Sequence, residues 1–76
     1  MNESFETVDR KIASLLSHLY EDPYIRRTDS SIIFTFVDRI KCELIIDSYY
    51  NQELVVDPLE LHNAHDRIDN LVKKTK

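Results

Sequence analysis

The sequence predicts a small α+β domain in which an antiparallel sheet is flanked by two helices, in the order α-β-β-β(-β)-α. Apolar residues recur at helical spacing at both ends of the 76-residue chain, β-branched and aromatic residues fill its middle, and Asp-Pro pairs mark the boundaries. A chain of this length buries one modest core, so residues 1–76 are expected to form a single domain. The two helices are expected to pack mainly on one face of the sheet.

The first predicted element is an amphipathic helix over residues 4–21. Pro23 ends it, because the residue before a proline is disfavoured in helical backbone. Its apolar residues fall within one stripe roughly 100° wide: Phe5, Val8, Ile12, Leu15, Leu16 and Leu19.

A β region is predicted next. Residues 24–27 and 32–37 are rich in side chains that favour strands, and residues 41–50 and 53–56 are expected to form further strands. Because the chain contains no glycine, the connection at 51–52 is expected to be a longer loop rather than a two-residue hairpin turn.

The last element is a helix with a well-marked start. Asp57 suits the N-cap, Pro58 suits the first helical position, and Glu60 stands three residues after the cap, as in a capping box. Lys73 and Lys74 stand where the negative end of the helix dipole favours cations. The buried stripe is predicted to comprise Leu61, Ala64, Ile68, Leu71 and Val72.

Alternation along the predicted strands separates an apolar face for the helices from a second face that is also apolar. A solvated sheet face rarely carries so many apolar side chains, so we expect another protein or a second copy of the chain to cover it. A two-fold dimer through this face or through a sheet edge would result. An arrangement with one helix on each face stays open. The candidate interface residues are Ile33, Val37, Ile45, Tyr49 and Leu54.

The residue types that support catalysis or metal binding are sparse. Without glycine, the phosphate-binding and nucleophile-elbow motifs that need it cannot form, and no cofactor is predicted. Cys42 is a lone cysteine expected in the core. His62, His65 and Asp69 share one flank of the last helix, where a solvated face is favoured over zinc ligation, so no metal site is predicted. We therefore expect a non-enzyme.

The net charge of −4 argues against nucleic acid as the main partner. The alternative interpretation is a nucleic-acid-binding module that uses a local basic cluster. Its candidate residues are Arg26, Arg27, Arg39 and Lys41.

The sequence thus favours a small acidic protein that acts by binding another protein, as an inhibitor, an immunity-type protein, an adaptor or a subunit of a complex. It contains no apolar run long enough for a membrane span and its start is polar, so a cytoplasmic location is expected. Few alanines and many isoleucines suggest an AT-rich genome, such as that of a phage or another mobile element.

Overall fold

The computed structural model describes residues 3–75; residues 1, 2 and 76 of the predicted domain lie outside this range. The α+β class and the antiparallel sheet are confirmed, but the element order is β-α-β-β-α-α. The elements are β1 (Phe5–Thr7), α1 (Arg10–Leu19), β2 (Tyr24–Arg27), β3 (Ile32–Phe36), α2 (Arg39–Tyr50) and α3 (Pro58–Lys74).

The sheet has the strand order β1-β3-β2, with both pairings antiparallel. Phe5 of β1 lies opposite Phe36, and Ile25 of β2 lies opposite Phe34. The turn between β2 and β3 closes where the Thr28 amide donates to the Ser31 carbonyl over 2.8 Å. β3 is therefore the central strand.

The helix predicted over 4–21 is wrong at its start. Asp9 is the N-cap of α1, and its carboxylate accepts from the Lys11 amide over 2.8 Å. Phe5 and Val8 fit the helical spacing of α1 by coincidence. Residues 5–7 instead pair with β3, because a free edge of that strand satisfies their backbone groups.

The predicted strand over 41–50 is also wrong, since this segment lies within α2. Cys42, Ile45 and Ile46 follow the i, i+3, i+4 spacing of a buried helix side, whereas a strand would put Ile45 on the face opposite Cys42 and Ile46. Asp38 caps the helix by accepting from the Lys41 amide over 3.2 Å. The predicted strand over 53–56 is absent from the described residues as well, because 51–57 connect α2 to α3.

The last helix is confirmed in detail. The Asp57 carboxylate accepts from the Leu59 amide over 2.8 Å, and Pro58 is the first helical residue. Glu60 lies in the first turn, and Lys73 and Lys74 lie in the last. These local signals fix α3 without tertiary information.

The core lies between one face of the sheet and the three helices. Phe34 and Phe36 point to this face and are fully buried. Residues of all three helices belong to one core cluster with them, which confirms that the helices lie on one side of the sheet and rules out one helix on each face. The helical core residues are Ala13, Leu16, Cys42, Ile68 and Val72. The residues of the open face are Glu6, Tyr24, Arg26, Ile33 and Thr35.

Two residues with positive φ flank α2. Asp38 has φ 63° and Gln52 has φ 62°. Both angles lie in the left-handed region that glycine usually occupies, and the chain has no glycine to place there.

Candidate binding groove

A groove of about 550 Å³ lies between α1, the end of α2 and the start of α3. α2 contributes Tyr49 and Tyr50. The residues from α1 are Lys11, Ile12, Ser14 and Leu15. The residues from α3 are Pro58, Leu61, His62 and His65.

Contacts between α1 and α3 hold one side of the groove in place. The Arg10 guanidinium lies 2.8 Å from an Asp69 carboxylate oxygen, and His18 Nε2 lies 3.4 Å from Glu60. The paired positions rise in α1 as they fall in α3, so the two helices are antiparallel. Ile12 and Leu15 of α1 line the groove together with Leu61 of α3 and form an apolar floor.

The two tyrosines of α2 form the opposite wall. Their ring centroids lie 5.5 Å apart with an interplanar angle of 73°, an edge-to-face contact. Tyr49 is partly buried, whereas Tyr50 is 64% exposed. Tyr49 was a predicted interface residue, and the structure places it on this groove instead of on the sheet.

Ser14, His65 and Asp69 form a chain of contacts beneath the groove. Ser14 Oγ lies 3.2 Å from His65 Nδ1, and His65 Nε2 lies 3.8 Å from Asp69. The Ser14 hydroxyl donates to the Arg10 carbonyl over 2.7 Å, so its oxygen is left to accept from His65. Ser14 is also 1% exposed. This arrangement positions His65 but does not supply an activated nucleophile.

The other predicted interface residues do not share one surface. Ile33 lies on the open sheet face, and Val37 is exposed just beyond β3. Ile45 faces the core from α2, and Leu54 lies in the 51–57 connection. The single apolar sheet face was a wrong prediction, because half of it was assigned to a segment that is helical.

The residues of the predicted basic cluster are engaged by groups of the chain itself. Arg39 lies 3.1 Å from Glu3 and 3.4 Å from Glu43, and hydrogen bonds to Glu43 and Glu3 raise the pKa of Arg39. Arg26 lies 3.7 Å from Glu6 across the open face.

The other two basic residues also contact groups of the chain itself. Arg27 donates to carbonyls at the end of α3, and Lys41 Nζ lies 4.8 Å from the centre of the Tyr20 ring. Arg10 and Arg67 pair with Asp69 and Asp22, so all five arginines contact groups of the chain.

The histidines of α3 form i,i+4 pairs. His62 Nε2 lies 3.6 Å from Asp66, which parallels the contact between His65 and Asp69. Within residues 3–75, no three His, Cys, Asp or Glu side chains are grouped so as to hold a metal ion. Cys42 is buried in the core, and desolvation raises the pKa of its thiol.

Exposed apolar side chains also occur on both sides of the groove-lining Pro58 in the chain. Val55 is 98% exposed, and Leu59 is exposed in the first turn of α3. The sequence assigned Val55 to a strand and so gave no signal of this surface. The groove itself was missed because it forms only when 39–50 are helical.

The chain matches no protein-family model, no curated protein and no solved structure. Among the described elements, no helix is both long and apolar enough to cross a membrane. The groove and the exposed side chains beside it are the features from which a function can be inferred.

Proposed function

We propose that this chain is a small acidic, non-catalytic protein-binding protein whose groove receives an apolar segment of a partner. The observation that carries the proposal is the groove between the three helices, with an apolar floor and a tyrosine wall. Tyr50, which lines the groove, is exposed, and so are Val55 and Leu59, which stand close to the groove-lining Pro58 in the chain.

Physical chemistry supports this use of the groove. Covering apolar side chains with another surface lowers the free energy by about 25 cal/mol for each Å² of apolar area removed from water. Tyrosine is favoured at interfaces because it combines a large apolar body with a polar tip. Helix-lined apolar grooves commonly accept amphipathic segments.

The mode of action would be occlusion. A protein of 76 residues that occupies a partner's exposed segment blocks that segment from other contacts. Such an action suits an inhibitor, an immunity-type protein, an adaptor or a subunit of a complex. Nucleic acid is a less favoured partner, because Arg26 and Arg39 already contact carboxylates.

Two tyrosines offer a matched test. Tyr50 is 64% exposed beside the groove, and Tyr24 is 75% exposed on the open sheet face. The Tyr50→Asp and Tyr24→Asp variants should both fold, since each replaces an exposed side chain. Each variant and the wild-type chain would be used as bait in a lysate of the native source cells, with retained proteins quantified by mass spectrometry.

We expect proteins held by the wild-type chain and by Tyr24→Asp to be lost with Tyr50→Asp. Loss with Tyr24→Asp alone would place binding on the open sheet face. Equal retention by all three baits would remove the groove from the proposal.

Self-association through the open face or the β2 edge is the second part of the proposal. β2 is an edge strand, and Tyr24 and Val37 expose apolar surface on or near the open face. Light scattering of the wild-type chain should give a dimer mass that Tyr24→Asp reduces to a monomer. A monomer mass for the wild-type chain at high concentration would contradict a homodimer.

A further inference from the structure

We infer that the partner segment received by the groove is acidic, with a carboxylate next to the apolar side chain that enters it. This inference rests on the proposed function and adds the charge of the partner. The observation that supports it is a difference in charge between the side chains that line the groove and those of the whole chain.

The chain has 14 acidic and 10 basic residues. Among the described residues that line the groove, none is Asp or Glu, while Lys11, His62 and His65 are all present. Asp66 and Asp69 lie next to the two histidines, at 3.6 and 3.8 Å, so Lys11 is the one charged side chain among the described lining residues that does not face a carboxylate. A partner carboxylate placed beside Lys11 is attracted by that positive charge, on a protein whose net charge is −4.

Lys11 is the charged group best placed to bind that carboxylate. It is exposed, and it forms no ion pair with any residue in the part of the chain that the structure describes (3–75). His62 and His65 already face Asp66 and Asp69, at 3.6 and 3.8 Å. Lys11 can thus donate to a partner carboxylate without breaking an ion pair within the described residues.

The other polar groups of the groove can also donate hydrogen bonds. The hydroxyls of Tyr49 and Tyr50 can donate, while the Ser14 hydroxyl is committed to the Arg10 carbonyl and His65 Nδ1 to the Ser14 oxygen. A ligand whose polar end only accepts hydrogen bonds complements this set. Among charged side chains, the ionised carboxylate is the one that only accepts hydrogen bonds.

The apolar part of the segment would contact the floor formed by Ile12, Leu15 and Leu61. A volume of about 550 Å³ accommodates one or two aliphatic side chains together with the adjoining backbone. The floor supplies most of the affinity, and Lys11 supplies the preference for an acidic segment.

Two capped peptides test the charge directly. One is leucine-leucine-glutamate, and the other replaces the glutamate with glutamine; both are acetylated and amidated. Each would be titrated to millimolar concentration into ¹⁵N-labelled protein while amide chemical shifts are recorded. Shifts are expected at residues 11–15, 49–50 and 58–65, with the glutamate peptide binding about threefold more tightly, the size typical of an exposed ion pair.

The Lys11→Glu variant should abolish this preference. Lys73→Glu makes the same charge change in the last turn of α3, away from the groove, and should retain it. Any of three results would contradict the proposal that the partner segment is acidic. The two peptides could bind equally well, Lys11→Glu could keep the preference for glutamate, or neither peptide could shift the amides of the groove. A different result would contradict the proposed function, namely equal retention by the wild-type, Tyr50→Asp and Tyr24→Asp baits. The failure of the acidic segment and the failure of the proposed function can therefore be distinguished.

Discussion

The Arg27 guanidinium donates to the carbonyl oxygen of Val72 over 3.1 Å and so joins β2 to the last turn of α3. The same nitrogen lies 3.3 Å from the carbonyl oxygen of Thr75. The Val72 carbonyl also accepts from the Thr75 amide over 3.1 Å, so Arg27 adds a charged donor to a helix end that the last turn has already closed. An edge strand and the C-terminal helix therefore stabilise each other through one side chain.

Replacing this arginine should cost more stability than replacing its neighbour. Arg27→Gln is expected to lower the free energy of unfolding by about 1–2 kcal/mol, because it removes charge-assisted hydrogen bonds to α3. Arg26→Gln removes only an exposed contact with Glu6 and should cost about 0.5 kcal/mol or less. Urea unfolding of both variants measures the difference, and equal losses would argue against the link between β2 and α3.

Leu44 distinguishes the observed helix from the predicted strand. Leu44 is 61% exposed on the outer side of α2, whereas Leu16 is fully buried in α1. Leu44→Ala should change the free energy of unfolding by about 0.5 kcal/mol or less, and Leu16→Ala should cost about 2–5 kcal/mol. In the strand arrangement Leu44 would face the core, so a comparable loss for both variants in urea unfolding would contradict α2.

The Cys42 thiol should react slowly in the folded protein. Desolvation is the largest cause that raises the pKa of Cys42 above its ordinary 9.0, followed by the charge of Asp38. The thiol therefore stays protonated in the folded state at mildly alkaline pH, and the thiolate is the reactive form. We expect Ellman's reagent to modify the native protein much more slowly than the urea-unfolded protein at about pH 8.

The same shift makes stability depend on pH. The unfolded chain releases the thiol proton near pH 9.0 while the folded chain retains it, so the free energy of unfolding falls as pH rises through that value. Below it, the contribution is fully present. Urea unfolding from about pH 7 to about pH 10 should show a smaller decline in Cys42→Ala. Identical slopes would show that this thiol does not set the alkaline decline.

The cap of α3 should contribute measurable stability. Asp57→Ala removes the acceptor of the Leu59 amide, and loss of such an N-cap costs about 1 kcal/mol. Asp66→Ala, in the exposed middle of the same helix, should change stability by about 0.5 kcal/mol or less. Thermal unfolding monitored by circular dichroism compares the two, and an equal drop in midpoint would contradict the role of Asp57.

Local signals predicted α3 correctly, and non-local contacts decided the elements that the sequence missed. The cap at Asp57 and the proline after it act within one helical turn, so they can be recognised without the rest of the fold. β1 has three residues and exists because Phe5 lies opposite Phe36, about thirty positions away in the chain. A strand that short has no periodicity of its own.

The candidate site was predictable only in part, for the same reason. Tyr49 was selected as a binding residue because tyrosine suits interfaces, but its surface depends on whether 41–50 are a strand or a helix. Ile45 and Ile46 fit one side of a helix, and they also fit a strand whose two faces are both apolar; their β-branched side chains favoured the strand. Lys11 gave no signal, because its place beside His62 and His65 follows from the packing of α1 against α3.

Asp38 and Gln52 hold left-handed backbone at the two ends of α2. Left-handed backbone destabilises a residue that has a side chain by about 1 kcal/mol, and this strain is released when the turn opens. α2 should therefore open before α1 and α3, and hydrogen exchange should show its amides exchanging first; slower exchange in α2 would contradict this order.

Since Tyr49 and Tyr50 are carried by α2, the groove can widen by movement of one wall while the helix pair α1–α3 stays fixed. A partner segment larger than the resting groove could then enter without unfolding the core.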